Sequence, residues 1–234
     1  MQLKRAGILL LCLCLLTGCG AQAAPAAEYT REEETTMAVA LTFDDGPNPT
    51  YTPELLDGLK ERGVHATFFL IGSQVEEYPD LARRIAEEGH QVGNHTYDHA
   101  NLQELTEWEA KQDLRKNDAV LQEIIGEGIY WIRPPYGCAG EKEQRCADVP
   151  FIKWSVDTED WKVQDADRIL DIIYRELTDG GIILMHDRFP ETVEAALQAV
   201  DHLTSQGVRF VTVEELFREK GIEAEGGKIY CKAE

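Results

Sequence analysis

VALTFDDGPNPTYTPELLDGLKERG, residues 39–63, carries a whole structural unit. Its first five residues, VALTF, are mostly apolar and β-prone and read as a strand. The DDGPNP that follows is turn chemistry, with glycine and proline beside short carboxylate and amide side chains. TPELLDGLKERG then places leucines at helical spacing and stops at glycine, as helices tend to. Strand followed by helix is the repeating half of a parallel α/β fold. The paired aspartates, Asp44 and Asp45, raise a second question. Adjacent like charges repel and raise one pKa, so unless both face water a positive group belongs nearby, and a metal ion would be enough. Taken alone, the same residues also fit a solvated turn.

Outward from this unit the alternation continues. HATFFLIG, HQVGNH, IYWIRP, FIKWSV, GIILMH and RFVTV are further strand candidates. Between them lie the amphipathic stretches YPDLARRIAEEG, LTEWEAKQDLRKNDAVLQEIIG, DADRILDIIYRELTDGG and ETVEAALQAVDHLTSQG. About seven strand–helix units predict an α/β protein whose parallel sheet is covered by helices, and that many favour a barrel over an open sheet. In such folds chemistry collects at the carboxyl ends of the strands. Those ends carry Asp44 and Asp45; His95, Thr96 and His99; Arg133 to Tyr136; Asp157, Asp160 and Trp161; and His186 and Asp187. A purely structural fold would scatter such residues, whereas here five strand ends carry them together.

The chain of 234 residues is long enough for one well-buried domain. Its start reads differently. MQLKR is basic, AGILLLCLCLL is apolar but too short to span a bilayer comfortably, and LTGC follows, so residues 1–18 read as an export signal. LTGC resembles the lipobox of bacterial lipoproteins, which implies that Cys19 is lipidated; a plain secretory cut within AQAAPAA is the alternative. Residues 19–37, rich in Ala and Glu without apolar periodicity, read as a tether, and 38–234 as the domain. Loss of the signal takes Lys4 and Arg5 from the 23 basic residues and none of the 43 acidic ones, leaving a formal charge of −22. Nucleic acid is therefore excluded as a partner, because phosphate binding needs a basic patch. A neutral or cationic polymer suits better, and membrane contact is expected through the lipid anchor only. Three cysteines remain in the domain: Cys138, Cys146 and Cys231. A Cys138–Cys146 bridge is expected only if the segment between them is irregular, since eight helical residues span about 12 Å, too far for a disulfide.

TFDDGP, HTYDH, RPPYG, DTEDW and LMH resemble, in order, the five motifs of the polysaccharide deacetylases, also named the NodB-homology family or carbohydrate esterase family four. The resemblance runs from about Val39 to Leu216. It implies a distorted, incompletely closed (β/α) barrel with about seven parallel strands, and a metal-dependent hydrolase that removes N-acetyl groups from a polysaccharide.

The family pattern implies that Asp45, His95 and His99 hold the metal. One carboxylate and two imidazoles suit Zn²⁺ or another divalent ion such as Co²⁺, with positions left open for water and substrate. His95 and His99 stand four apart, so one helical turn after the strand would present both on one side. The resemblance further implies Asp44 as general base, the Tyr136 backbone N–H as oxyanion donor and His186 as general acid. It implies that Arg133 steadies Asp44, that Asp160 pairs with His186, and that Trp161 and Leu184 form the apolar wall for the acetyl methyl. For Leu184 an ordinary core role weighs equally. His65, His90 and His202 read as structural or solvated, and Asp98 as solvated.

GlcNAc of peptidoglycan leads as substrate for a chain tethered near the wall, with chitin oligomers or acetylated xylan as alternatives, since the five motifs serve all three. A two-histidine, one-carboxylate iron oxygenase would place a carboxylate two residues after the first histidine, where this chain has Tyr97. A non-catalytic glycan-binding domain would have lost its base or ligands, and this chain keeps them.

Overall fold

The computed structural model describes residues 37–234; the signal, Cys19 and nearly all of the tether lie outside the described residues. The elements follow in chain order. They are β1 (Ala38–Asp44), α1 (Tyr51–Glu61), β2 (Thr67–Leu70), α2 (Gly72–Glu77), α3 (Pro79–Glu87), β3 (Gln91–Asn94) and α4 (Glu107–Ile125). Next come α5 (Glu141–Gln144), β4 (Phe151–Ile152), β5 (Val156–Asp157), α6 (Asp160–Val163) and α7 (Ala166–Glu176). The last are β6 (Ile182–His186), α8 (Pro190–Ser205), β7 (Arg209–Phe210), α9 (Val213–Glu219) and β8 (Ile229–Tyr230). Among the described residues no helix is long and apolar enough to cross a membrane.

All ladders between these strands are parallel, in the order β3-β2-β1-β6-β5, with β7 on the start of β1. Beyond β3 the sheet continues only through single bridges, Asn94 to Ile132 and Ile132 to Phe151, while β4 pairs with β8. The barrel is thus distorted and incompletely closed, as expected. Three expected strands are reduced. IYWIRP contributes a single rung at Ile132, because Pro134 and Pro135 have no N–H to extend the ladder. FIKWSV splits into β4 and β5, where the side chain of Arg133 takes the carbonyls of Ile152 and Lys153. RFVTV ends early because Thr212 caps α9 in a capping box with Glu215. β8 is an addition that the sequence reading lacked.

The two-residue alternation of a strand sorts the interior. Along β1, Val39, Leu41 and Phe43 join the core under α1, α3, α4, α7 and α8, with Phe43 stacked on Phe68 at 5.2 Å. Ala38 and Ala40 face the opposite side, with Phe69, Ile152, Ile182 and Trp131. Thr42 and Asp44 continue that inner row upward, and β6 sets Leu184 opposite Thr42 and His186 opposite Asp44. One apolar pattern therefore fixes the sheet and aims Asp44 inward.

Cys138, Cys146 and Cys231 are all free. The segment between the first two contains α5, so the condition for a bridge is not met.

Gly93 tests the packing of the inner row. A Cβ there would lie 2.4 Å from Cδ1 of Phe69 and 2.8 Å from the carbonyl oxygen of Trp131, a backbone atom that cannot swing aside. Gly93→Ala is expected to lower unfolding stability in urea by about 1–3 kcal/mol, the usual cost of overpacking. Gly128→Ala, whose Cβ would meet nothing closer than 3.5 Å, should stay within about 0.5 kcal/mol of the parent.

Candidate active site

The sequence-flagged residues meet at the carboxyl ends of the strands, around a cavity of about 480 Å³. Asp44, Asp45, His95, His99, Tyr136, Asp157, Trp161, Leu184 and His186 all line it. Asp44 is 3% exposed and Arg133 is fully buried. Arg133 donates from Nη1 to Asp44 Oδ1 at 2.8 Å and to Thr42 Oγ1 at 2.7 Å, from Nε to the Ile152 carbonyl at 3.2 Å, and from Nη2 to the Lys153 carbonyl at 2.9 Å. Its guanidinium carbon also stands 4.1 Å from the centre of the Phe69 ring.

Asp45, His95 and His99 present one ligand atom each within 4.8 Å of one another. Nε2 of His95 and Nε2 of His99 lie 3.4 Å and 3.3 Å from the same Asp45 oxygen, Oδ1. That oxygen is buried without a hydrogen-bond partner, which a cation in the group would satisfy. The donor set leaves room for further ligands and contains no cysteine, as an open divalent site does. His95 Nδ1 bonds the Arg133 carbonyl at 2.7 Å, so Nε2 is the nitrogen free to face the group. Burial opposes the charge of Asp45, yet the neighbouring imidazole of His95, with those of His99 and His186, holds its carboxyl well below the usual range.

The route by which the two histidines converge differs from expectation. HTYDH is not helical. Thr96 and His99 adopt left-handed backbone, φ 65° and 58°, and the loop folds back on itself. Asp45 (φ 71°), Tyr136 (φ 61°) and Glu159 (φ 51°), which precedes Asp160, share this conformation. Each such residue stores about 1–3 kcal/mol of strain, and clustering of that kind marks functional sites. Tyr136 sets its ring edge-on against His99 at 4.7 Å.

Across the cavity, His186 Nδ1 lies 2.8 Å from Asp160 Oδ1. The other oxygen, Oδ2, accepts the His186 backbone N–H at 2.7 Å and the Thr192 hydroxyl at 2.8 Å. Burial works against the imidazolium, but the hydrogen bond and charge of Asp160, aided by Asp44 and Asp45, push the His186 pKa up to about 9. Trp161 is 54% exposed at the rim, whereas Leu184 is 4% exposed and forms the wall.

Some residues lay outside the sequence reading. Arg188 donates to Asp45 Oδ2 at 3.1 Å and lines the cavity with Phe189 and Trp154. Arg188 and Phe189 directly follow LMHD, and extending the fifth strand end by two residues would have found them; Trp154, inside FIKWSV, gives no such signal. Asp187 is fully buried beneath Gly46 and accepts the Thr52 hydroxyl. Burial, with Asp45 nearby, pushes its pKa up to about 7 against that hydrogen bond. His65, His202 and Asp98 are exposed, and His90 is buried with Nδ1 accepting the Ala66 N–H, so none joins the site.

A polysaccharide deacetylase family model matches residues 31–147. The chain is 41% identical over 187 residues to the peptidoglycan-N-acetylglucosamine deacetylase PgdA of Listeria monocytogenes, an alignment that covers 80% of this chain and 40% of that protein. It is 40% identical to a peptidoglycan-N-acetylglucosamine deacetylase of Bacillus cereus, over 77% of this chain and 68% of that one. Among solved structures, a family 4 acetyl xylan esterase from Clostridium thermocellum in complex with a cobalt ion superposes with a TM-score of 0.79 at 31% identity, over 83% of this chain and 98% of that chain. The five motifs, the distorted barrel and these likenesses agree: the chain belongs to the polysaccharide deacetylase family.

Proposed function

We propose that this protein hydrolyses the N-acetyl amide of GlcNAc residues in peptidoglycan. One observation carries the reading: the buried Asp44–Arg133 pair and the His186–Asp160 pair face each other across the Asp45, His95 and His99 group in a single cavity. The Bacillus cereus and Listeria relatives, both peptidoglycan-N-acetylglucosamine deacetylases, support the choice of glycan.

Asp45, His95 and His99 would hold a divalent ion, for which Zn²⁺ suits the donors, and its chemistry there is to acidify water and polarise the acetyl carbonyl. Asp44, aimed by Arg133, takes a proton from the attacking water. The Tyr136 backbone N–H donates to the developing oxyanion. As the C–N bond breaks, His186 gives its proton to the departing amine, leaving acetate and a free glucosamine nitrogen. Leu184 and Trp161 enclose the methyl. The pattern MQLKR…LTGC supports an extracytoplasmic protein anchored by lipid on Cys19. Intact mass of the native protein tests that part, and an unmodified N-terminus at Ala21 or later would overturn it.

Acetate release from peptidoglycan, set beside chitin oligomers and acetylated xylan, tests the substrate. Asp45→Ala is expected to bind the ion weakly and to recover partly at high metal concentration. Asp44→Asn should retain the ion while turnover falls by roughly 10²–10⁴, the usual size of a lost acid or base. Equal loss of metal in both variants, read by metal analysis, would refute the division of labour.

The acid role also has a pH signature. Because Asp160 raises the His186 pKa above its ordinary value, the imidazolium persists past neutrality, and activity is lost as pH climbs through the raised value. Asp160→Asn removes the main raising influence and leaves burial, which lowers the pKa, so the alkaline limb should move toward neutrality. A bound cation repels the imidazolium in both proteins, so the difference between them is the readout. A limb that stays in place in kcat profiles would assign it to another group.

A further inference from the structure

We propose that Asn117, on α4 and outside all five family motifs, is a positioning residue for His95 and His99. The proposal rests on Asp45, His95 and His99 holding a metal, and not on the identity of the glycan. Asn117 is fully buried among the apolar residues of the α4 inner face. Its Nδ2 lies 3.0 Å from the Leu70 carbonyl, 2.9 Å from Asn94 Oδ1 and 2.9 Å from the Thr96 carbonyl. Two N–H bonds thus serve three acceptors, and turning the amide over would set oxygen against three oxygens, so its orientation is fixed.

Each acceptor also receives a hydrogen bond at the ligand loop. The Leu70 carbonyl accepts the His95 N–H at 3.0 Å, Asn94 Oδ1 accepts the Thr96 N–H at 2.8 Å, and the Thr96 carbonyl accepts the Gly72 N–H at 3.1 Å. Asn117 therefore sits where the end of β2, the end of β3 and the start of α2 are drawn together around Thr96, whose φ of 65° a branched side chain adopts only when held. The His95 ring has a further tether in the Arg133 carbonyl. Among the described residues His99 Nδ1 has no hydrogen-bond partner, so the direction of that ring follows from the loop backbone and from its contact with Tyr136. Gly72 completes the arrangement. A Cβ there would stand 2.7 Å from Asn117 Oδ1 and 2.8 Å from Cδ2 of Tyr97, so the amide approaches this closely only because residue 72 has no side chain.

Zn²⁺ affinity, measured on the full chain by competition with a chelator and without any glycan, tests this. Asn117→Ala leaves each acceptor with its backbone N–H, so the fold should persist with a lowered melting temperature. The Zn²⁺ Kd is expected to weaken by roughly 10–100-fold, the usual effect of losing a group that orients metal ligands. The Co²⁺ absorption spectrum should change in shape as well. Gly72→Ala, which pushes the same amide from the opposite side, should weaken Zn²⁺ in the same direction. It also carries the test if Asn117→Ala does not fold. A Kd within about twofold of the parent in the folded variants, whatever the melting temperature, overturns the proposal and leaves Asn117 a packing residue. A parent protein that binds no Zn²⁺ overturns both this inference and the metal site. Absent acetate release with intact Zn²⁺ binding overturns only the substrate.

Discussion

A guanidinium with no exposure to water is the constraint around which this protein is arranged. Taking a cation out of water costs several kcal/mol even after relaxation, so Arg133 is tolerated only because its surroundings are polar where it needs them. Thr42 and Asp44 come from β1, and the carbonyls of Ile152 and Lys153 come from the end of β4. Burial lowers the pKa of Arg133 from its ordinary value while Asp44 opposes, and a guanidinium stays charged under either influence. Removing one partner of such a pair costs roughly 3–5 kcal/mol, because the other is left buried and uncompensated. The Ile152 and Lys153 carbonyls lie where FIKWSV divides, β4 pairing with β8 and β5 with β6. The irregular stretch of the sheet and the fixed carboxylate in the site thus meet at one side chain.

Much of this was legible in residues. Helices such as α4 announce themselves at both ends: the Thr106 and Glu109 capping box opens it and Gly126, at φ 102°, closes it. The long strands β1 and β6 carry apolar runs that cannot be misread, and their carboxyl ends name most of the site. The two-residue strands were legible only in part: β4, β5 and β7 lie within FIKWSV and RFVTV, but their short extents and β8 were not, because they depend on partners far away in sequence rather than on local pattern. The loop at HTYDH failed for a different reason. A spacing of four suits a helical turn, but tertiary hydrogen bonds hold Thr96 and His99 in a conformation that local propensity disfavours. Asn117 was equally hidden, since a polar residue inside an amphipathic helix signals nothing about the carbonyls it reaches.

His186 and Asp45 show why the two sides of the cavity differ in protonation. Both are largely buried, and burial alone would neutralise both. Each instead keeps its charge because specific partners outweigh that cost: Asp160 for the imidazole, and the two histidines for the carboxylate. Asp187, fully buried and beside the charge of Asp45, goes the other way: the Thr52 hydroxyl, its own backbone N–H and His186 do not offset burial, and its pKa is pushed up to about 7. Three acid–base groups at the ends of the adjacent strands β1 and β6 thus take different states, set by their partners together with burial.

The paired aspartates that open the domain follow from the geometry of a strand. Successive side chains on β1 point to opposite faces, so Asp44, in the row of Ala40 and Thr42, turns inward to Arg133. By the same rule Asp45 should point outward, among the helices, where a carboxylate has no partner. Its left-handed backbone, φ 71°, breaks the alternation at the point where the strand ends and returns the side chain to the cavity. Two neighbouring carboxylates can therefore face one space without sharing one environment. Asp44 is bound on its Oδ1 by a guanidinium that no solvent reaches, and Asp45 offers a bare Oδ1 to two imidazoles. A glycine at 45 would relieve the strain and a longer strand would remove the turn, but either would lose the second carboxylate from the cavity. The strain at Asp45 is thus the condition under which one base and one ligand can be encoded by adjacent residues.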